Sequence, residues 1–508
     1  MRLRQSAAIA RMLLLFFWRR VLTSGVLRSV PVRIAILTSA LVFGAVLTSA
    51  AYLFLRDLTD RRGVWDLLFD TTTVSVLLWV QIAFLAVKVL FINAEGMLAL
   101  TYQLPVTNRE RSLAFLMYEA AMVAVLTGAG VFALTVSALL LQGPAALAPL
   151  AFSVVLPAVI AYLLLSVIHQ LLARLWTAVR LDRIGGILSI LVIFGLIVAY
   201  ASATTPMVAT ITGAYLDDEV AGTPATVIAR TAGEQGHLLV LVLVLVLAAG
   251  LAALTVVLSP DRYVAQARYL RIAASRRWSW LAPYDLSLLR SSHTVLSGVL
   301  TVAVFGYLLL SRALSDGELS PLWSICLLTV GGLYQFSSTA VLRAVPGAEV
   351  PAWRIFWRLL RAQLVVILAF AVPLGLVTSV ADLGWGAGAW QPLLAAAAGA
   401  VVTASIGVIF PAEKDNPLSV FIGLASFATA AGLIAIGLGI LRLPLTVVVM
   451  IFVLATVLFA VYAIHFIHLA ESGKRHEKGT LGHQLRRRRR GGDARDRSGG
   501  DLDADVLG

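Results

Sequence analysis

The chain has 508 residues, of which 60% are hydrophobic and only 13% are charged. Soluble domains usually carry about 25% charged residues, so this composition excludes a single soluble core and indicates a polytopic membrane protein. The net charge of +13 is explained by basic loops on the cytoplasmic side of a membrane, and no nucleic-acid partner is expected. The only cysteine, Cys326, excludes an internal disulfide and a cysteine-based metal site.

Apolar runs long enough to cross a bilayer predict an all-α integral membrane protein with about twelve transmembrane helices. The arginines are concentrated in alternate loops, which predicts that both termini are cytoplasmic and that the chain lies in the inner (plasma) membrane of a bacterium. The predicted spans cover residues 34–55, 74–92, 112–141, 146–171, 187–203, 238–258, 293–311, 321–342, 362–380, 390–411, 418–440 and 444–469.

The layout of spans and loops repeats, which predicts two pseudo-repeated six-helix halves, a common plan among transporters. Each half begins with an arginine-rich segment, and in each half the loop after the second span contains a proline followed by basic residues. The predicted domains are an interfacial amphipathic helix (1–33), a first six-span half (34–258), a basic cytoplasmic connector (259–292), a second six-span half (293–470) and a disordered, basic cytoplasmic tail (471–508).

The loop between the second and third spans, within residues 93–119, carries the most distinctive pattern of the chain. Glu95 is followed by the turn Leu104-Pro105-Val106-Thr107-Asn108 and then by the cluster Arg109-Glu110-Arg111. Each of these charges would cost roughly 2.5–3.5 kcal/mol at the centre of a bilayer, so the segment is predicted to form a turn and a short surface helix. Two interpretations remain open: a docking element for a soluble partner, or an ordinary loop between spans.

The segment from Leu104 to Glu110 resembles the coupling loop of ABC-type exporter permeases of the second type, which export drugs, antibiotics, peptides and polysaccharides. In the second half, Val345-Pro346 followed by Arg354 is a weaker match, and the short outside loop Leu441-Arg442-Leu443 departs from the pattern of that family. The resemblance implies that a separate ABC-type ATPase subunit, in two copies, docks on Leu104, Pro105, Arg109, Glu110, Arg111, Pro346 and Arg354.

The chain contains no G-x-x-x-x-G-K-[ST] loop of its own, because Gly473-Lys474 is followed by Arg475. We therefore expect a permease and not an enzyme, with no catalytic residue and no cofactor on this chain, and with ATP and Mg²⁺ bound by the partner. The expected cargo is a small apolar or amphipathic compound that leaves from the cytosol or the inner leaflet, and membrane lipids are the remaining partners.

Two charged residues are predicted to lie inside the membrane at similar depth, Lys88 in the second span and Glu119 in the third. They either form an intramembrane ion pair that stabilises the loop between them, or Lys88 extends to the interface by itself. His465 and His468 lie one turn apart near the inner end of the last span, where an interfacial role is favoured over metal binding because no further ligands accompany them.

Two other classes of protein remain as alternatives. A proton-coupled secondary transporter would have the same number of spans, although no acidic pair is predicted at mid-membrane to relay protons. A membrane glycosyltransferase that uses polyprenyl-phosphate sugars would place an acidic residue in the first outside loop, where this chain has Asp57, Asp60, Asp66 and Asp70.

Overall fold

The computed structural model describes residues 3–23, 29–57, 63–91, 101, 106–217, 222–259, 283–315, 320–343, 350–380, 390–411 and 444–469, with 445 and 448 excepted. Within these residues every regular element is helical and there is no β-strand. The first helices are α1 (Leu3–Thr23), α2 (Val30–Arg56), α3 (Val64–Phe91), α4 (Asn108–Gln142), α5 (Leu156–Ala178), α6 (Asp182–Leu216), α7 (Val227–Gln235) and α8 (His237–Leu258). They are followed by α9 (Pro283–Leu289), α10 (Ser292–Ser315), α11 (Gly332–Ser338), α12 (Ala352–Val380), α13 (Trp390–Ile409) and α14 (Val449–Leu469).

Nine helical stretches among the described residues are long and apolar enough to cross a membrane. The longest, Asn108–Ala178, has 71 residues and contains both the third and the fourth predicted spans. The predicted span at 321–342 is a 3₁₀-helix, Pro321–Gly331, followed by α11. The predicted span at 418–440 lies outside the described residues, so twelve spans and the repeat of two halves stay predictions.

Three helix boundaries differ by about ten residues or more from those predicted. α3 begins at Val64 rather than at 74, and α12 begins at Ala352 rather than at 362. Asp66 lies in the first turn of α3, where the positive end of the helix dipole favours a carboxylate, so the charge that marked this region as a loop instead suits a helix start. α6 continues to Leu216 with Pro206 inside it, so the predicted outside loop at 204–237 is largely helical.

The chain divides into two compact units. Unit 1 comprises Met1–Ala273, Arg290–Leu300 and Ala412–Phe421, and unit 2 comprises Ala274–Leu289, Thr301–Pro411 and Ile422–Gly508. In unit 1, α3 packs against α4, α5 and α6, while α2 and α1 pack against α4 and α8 packs against α5. In unit 2, α12 and α13 pack against each other and against the 3₁₀-helix Pro321–Gly331.

The core of unit 1 is built on one face of α3. Val76, Val80, Ala83 and Val87 are each at most 4% exposed and recur at intervals of three and four residues, which places them on the same side of a helix. They pack with residues of α4, α5 and α6 in one continuous apolar cluster. Large apolar side chains are also exposed on the outer surface of the helix bundle, on α2 and α8. Leu238, for example, is 79% exposed.

Apolar faces of this extent are not tolerated in water and are the surfaces that meet lipid in a membrane protein. Helices satisfy all their central backbone hydrogen bonds internally, so they can present such faces to hydrocarbon. The fold is therefore that of an α-helical membrane protein. We call the end of unit 1 where α3 ends and α4 begins the inner end, and the opposite end the outer end, after the predicted orientation.

Candidate functional site

The start of α4 is fixed by a capping box between Thr107 and Glu110. The backbone N–H of Thr107 donates to Oε2 of Glu110 at 3.1 Å, and the backbone N–H of Glu110 donates to the Thr107 hydroxyl at 3.4 Å. These bonds satisfy two backbone donors that a helix otherwise leaves without partners at its first turn. The loop that carries the family resemblance therefore enters α4 through a rigid first turn. The Thr-x-x-Glu spacing that encodes this cap is visible in the sequence and was missed.

The three charged residues of the predicted docking cluster have different environments. Arg109 is exposed, whereas Glu110 is only 6% and Arg111 only 9% exposed. Glu110 is buried and its Oε2 accepts the cap hydrogen bond, so its carboxylate is held at the first turn of α4 and is not presented at the surface. Of these three residues, Arg109 is the one that can contact a partner at the surface. Glu110 instead stabilises the first turn of α4. Glu95, Leu104 and Pro105 lie outside the described residues.

Lys88 and Glu119 are in direct contact between α3 and α4. The Lys88 ammonium donates to both carboxylate oxygens of Glu119, at 2.8 Å and 2.6 Å, and the two side chains are 10% and 17% exposed. Lys88 Nζ also lies 5.3 Å from the centre of the Phe84 ring, a distance at which a cation is attracted to an aromatic face. Glu119 lies about three helical turns after the start of α4, so the pair joins the two helices that flank the loop.

Aromatic and polar side chains of α5 surround this ion pair. The rings of Tyr162 and His169 lie edge-on to Phe84, with centroids 6.0 Å and 6.3 Å away. The Tyr162 hydroxyl donates to the backbone oxygen of Leu116 at 2.8 Å, one turn before Glu119. α3, α4 and α5 are thus connected by polar contacts at one level. No spacing in the sequence links residue 162 to residue 116, so this contact was not predictable.

The end of α8 is also tied to the inner end of unit 1. Arg174 of α5 donates to the backbone oxygens of Leu258 and Val257 at 2.7 Å and 2.6 Å, which satisfies carbonyls that are exposed at a helix C-terminus. The Ser112 hydroxyl, in the second turn of α4, donates to the Ser259 hydroxyl at 2.7 Å. A displacement of the first turns of α4 would therefore reach both α3 and α8.

The predicted second docking segment begins α12. Arg354 is exposed in the first turn of this helix and lies 5.3 Å from the ring of Trp353, while Pro346 lies outside the described residues. Further along the same helix, Arg361 donates to the buried carboxylate of Asp285 at 2.7 Å, and Arg358 lies 6.0 Å from the Tyr284 ring. These contacts join α9 to the first three turns of α12. Arg354 is therefore exposed on a helix whose N-terminal part is held in place by α9.

No cluster of three or more histidine, cysteine, aspartate or glutamate side chains that could hold a metal occurs among the described residues. His465 and His468 are both exposed on α14.

Comparison with protein-family models, with curated proteins and with solved structures found no match to this chain. The fold and the site together define the class of the protein as an α-helical membrane protein with a charged, helix-linking contact at one end of unit 1.

Proposed function

We propose that this chain is the transmembrane permease of an ATP-driven ABC exporter in a bacterial plasma membrane. It would carry an apolar or amphipathic compound out of the cell, with two copies of a separate ATPase docked on its cytoplasmic face. The two pseudo-repeated six-helix halves, twelve spans and cytoplasmic termini of the sequence analysis are part of this proposal. The observation that supports it most is that the loop resembling an exporter coupling loop leads directly into α4, whose first turns are bonded to neighbouring helices.

The loop that resembles an exporter coupling loop continues into a capped helix that is braced against α3, α5 and α8. The capping box of Thr107 and Glu110, the pair of Lys88 and Glu119, and the bond of Ser112 to Ser259 all lie within this region. A coupling element needs such stiffness, because packed helices transmit a displacement only when they move as a body. An ordinary loop between spans has no such requirement.

In the proposed mechanism, ATP binding closes the two ATPase subunits and displaces the docking loops. Arg109 provides the exposed charge of the first loop, and Arg354 provides that of the second. The displacement passes into α4 and α12, and the two halves move relative to each other so that cargo is released outside. ATP hydrolysis then resets the loops.

The experiment that tests this function is purification of the tagged full chain in mild detergent, with ATPase activity assayed on the eluate. We expect an ATPase to co-purify, and the substitution Arg109→Glu to reduce its recovery at least about tenfold, because reversal of an interfacial charge places like charges together. Arg180→Glu is the matched control, since Arg180 is exposed and is predicted to lie on the same side of the membrane.

Arg109→Glu leaves Glu110 and its capping box intact, whereas a variant that also replaced Glu110 would disturb the start of α4. A reduced recovery of ATPase with Arg109→Glu therefore indicates weaker docking and not a folding defect. Equal loss with Arg109→Glu and Arg180→Glu would reject Arg109 as the docking residue. A chain that carries no ATPase, both in detergent and in nanodiscs, would reject the exporter.

A proton-coupled carrier is the second candidate, and one observation favours it. Lys88 and His169 lie beside the Phe84 ring, and Glu119 pairs with Lys88, within helices of membrane-spanning length. Ionisable groups in that position commonly mark proton pathways. Flux in ATP-free vesicles under an imposed pH gradient separates the two candidates. Flux that needs the gradient and not ATP would favour the carrier.

A further inference from the structure

The outer end of unit 1 contains a cavity of about 250 Å³, which we call the outer cavity. Asp66 and Asp70 of α3 line one side, Phe152 and Ser153 line a second, and α7 with the first residue of α8, His237, closes a third. Asp66 is exposed and Asp70 is partly exposed, so the cavity opens to the surface of the protein. Its volume is somewhat below the roughly 300–1,000 Å³ of typical small-molecule sites.

One wall of the outer cavity is an irregular helical turn. Ala151–Val155 forms a five-residue π-helix between two α-helical segments, and such insertions are rare and are frequently found at functional sites. The π-turn contributes Phe152 and Ser153 to the cavity, 7% and 3% exposed. The Ser153 hydroxyl forms no hydrogen bond with the described residues, and because Ser153 lines the cavity, a ligand or water there can supply a partner.

The charge of the outer cavity is negative. Asp66 and Asp70 are one helical turn apart, and neither forms a salt bridge within the part of the chain that the structure describes. The positive residue on the opposite wall, Arg230, is already engaged with Glu234 at 2.7 Å. Two carboxylates at this spacing destabilise a helix by mutual repulsion, which a bound cation would relieve.

Aromatic rings complete the lining. Phe152 and His237 meet edge-on with ring centroids 5.1 Å apart and planes at 72°, and Phe69 lies between the two aspartates in sequence and also lines the cavity. Carboxylates with aromatic faces bind an organic ammonium group through charge and cation–π attraction together. The two carboxylates are too few for a resident metal site, because fewer than three ligands of that kind converge here.

We propose that the outer cavity binds the head group of an organic cation, an ammonium carried on a ring or a short chain. Asp66 and Asp70 neutralise its charge, Phe152 and His237 contact its apolar part, and the Ser153 hydroxyl accepts or donates a hydrogen bond. The proposal names the substrate class of the exporter described above, and in that respect it rests on the proposed function. The binding step itself needs no ATPase.

The test is equilibrium dialysis of radiolabelled benzyltrimethylammonium against the full chain in nanodiscs of zwitterionic lipid. We expect saturable binding with a dissociation constant below about 1 mM, and no competition by phenylacetate, which carries the opposite charge. Asp70→Asn should weaken binding about tenfold, because it removes a charge-assisted contact, and the double variant Asp66→Asn with Asp70→Asn should weaken it further. Asp57→Asn is the matched control, since Asp57 is exposed and does not line the outer cavity.

A steric variant keeps the test independent of charge. Ala229→Phe places a ring in the outer cavity from α7 and leaves both aspartates in place, so it should abolish binding while the elution profile of the protein is unchanged. Absence of saturable binding to the wild-type chain, equal weakening by Asp57→Asn, or wild-type binding by Ala229→Phe would each overturn the proposal. If no ATPase co-purifies but the chain still binds the cation, the proposed exporter function is rejected and the proposed cation site is retained.

Discussion

The charged side chains at the two ends of unit 1 have different partners. At the inner end, Lys88 and Glu119 neutralise each other at 2.6 Å, and the Tyr162 hydroxyl and the Arg174 guanidinium donate to backbone oxygens. At the outer end, Asp66 and Asp70 line a cavity and have no salt-bridge partner among the described residues. The inner charges are neutralised by each other and join two helices, whereas the outer carboxylates remain accessible, which is what the proposed cation site requires.

The space around two glycines also differs between the inner end and the outer cavity. A Cβ atom added at Gly185, in the first turn of α6 at the inner end, would lie 3.0 Å from Cβ of Trp176. A Cβ atom added at Gly233, which lines the outer cavity, would meet nothing within 4 Å. At these two positions the start of α6 is close-packed and the wall of the outer cavity is open, as expected if the first transmits a displacement and the second admits a ligand.

The largest effect is expected from separating the inner ion pair. Lys88→Met or Glu119→Gln should each lower the free energy of unfolding by about 3 kcal/mol, because the remaining partner is left nearly buried and unpaired. The charge exchange Lys88→Glu with Glu119→Lys should recover most of that loss. The measurement is unfolding in mixed micelles with increasing denaturing detergent.

The outer end supplies the control for that experiment. Arg230 and Glu234 form an exposed pair four residues apart, with side chains 43% and 55% exposed. Glu234→Gln should change the free energy of unfolding by no more than about 0.5 kcal/mol, because exposed pairs contribute little. If the double exchange at residues 88 and 119 restores nothing, their pairing is not what stabilises the inner end.

The next effect concerns the packing of the two glycines. Gly185→Leu should lower the free energy of unfolding by about 1–3 kcal/mol, because Trp176 and its hydrogen bond to Ser189 at 3.0 Å must shift to admit the side chain. Gly233→Ala should raise it by about 0.4–1 kcal/mol, because alanine restricts the unfolded chain and fits an open helical position. Tryptophan fluorescence should change with Gly185→Leu alone, and equal tolerance at both positions would show that the inner end is not the more tightly packed.

A smaller effect is expected from the hydroxyl that joins α5 to α4. Tyr162→Phe should cost about 1 kcal/mol, because the buried bond to the backbone oxygen of Leu116 at 2.8 Å is lost while the ring still fills its place. Thr231→Ala, at a partly exposed position of α7 near the outer cavity, should change stability by less than about 0.5 kcal/mol. Thermal unfolding followed by size-exclusion elution measures both, and a larger loss with Thr231→Ala would reverse the expected order.

The smallest effect should have the opposite sign. Asp70→Asn removes repulsion between two carboxylates one turn apart, so in the absence of ligand it should raise the free energy of unfolding by about 0.2–0.5 kcal/mol. Asp57→Asn should leave it unchanged. The same unfolding assay measures this gain, and a loss of stability with Asp70→Asn would mean that Asp70 holds the outer end together and that the two ends are alike.

The sequence determined the helical class, most of the described helices and the residues that carry charge into them. A membrane helix can be predicted from a run of apolar residues without knowledge of its tertiary contacts. The hydrocarbon core of the bilayer sets the length and the apolar composition that a spanning helix must have. The sequence also placed Lys88 and Glu119 at matching depth, since a charge in a span is costly enough to stand out. It misjudged the start of α3, where Asp66 and Asp70 were taken for loop residues.

Only the tertiary structure decided which charged residues are exposed, paired or left open to a ligand. Arg109, Glu110 and Arg111 are neighbours in sequence, yet one is exposed and two are buried, because a helix directs successive side chains to different faces. The outer cavity combines residues of α3, a π-turn, α7 and α8, and no local pattern connects them. Local chemistry sets where helices form, while long-range packing sets which of their polar groups remain available for function.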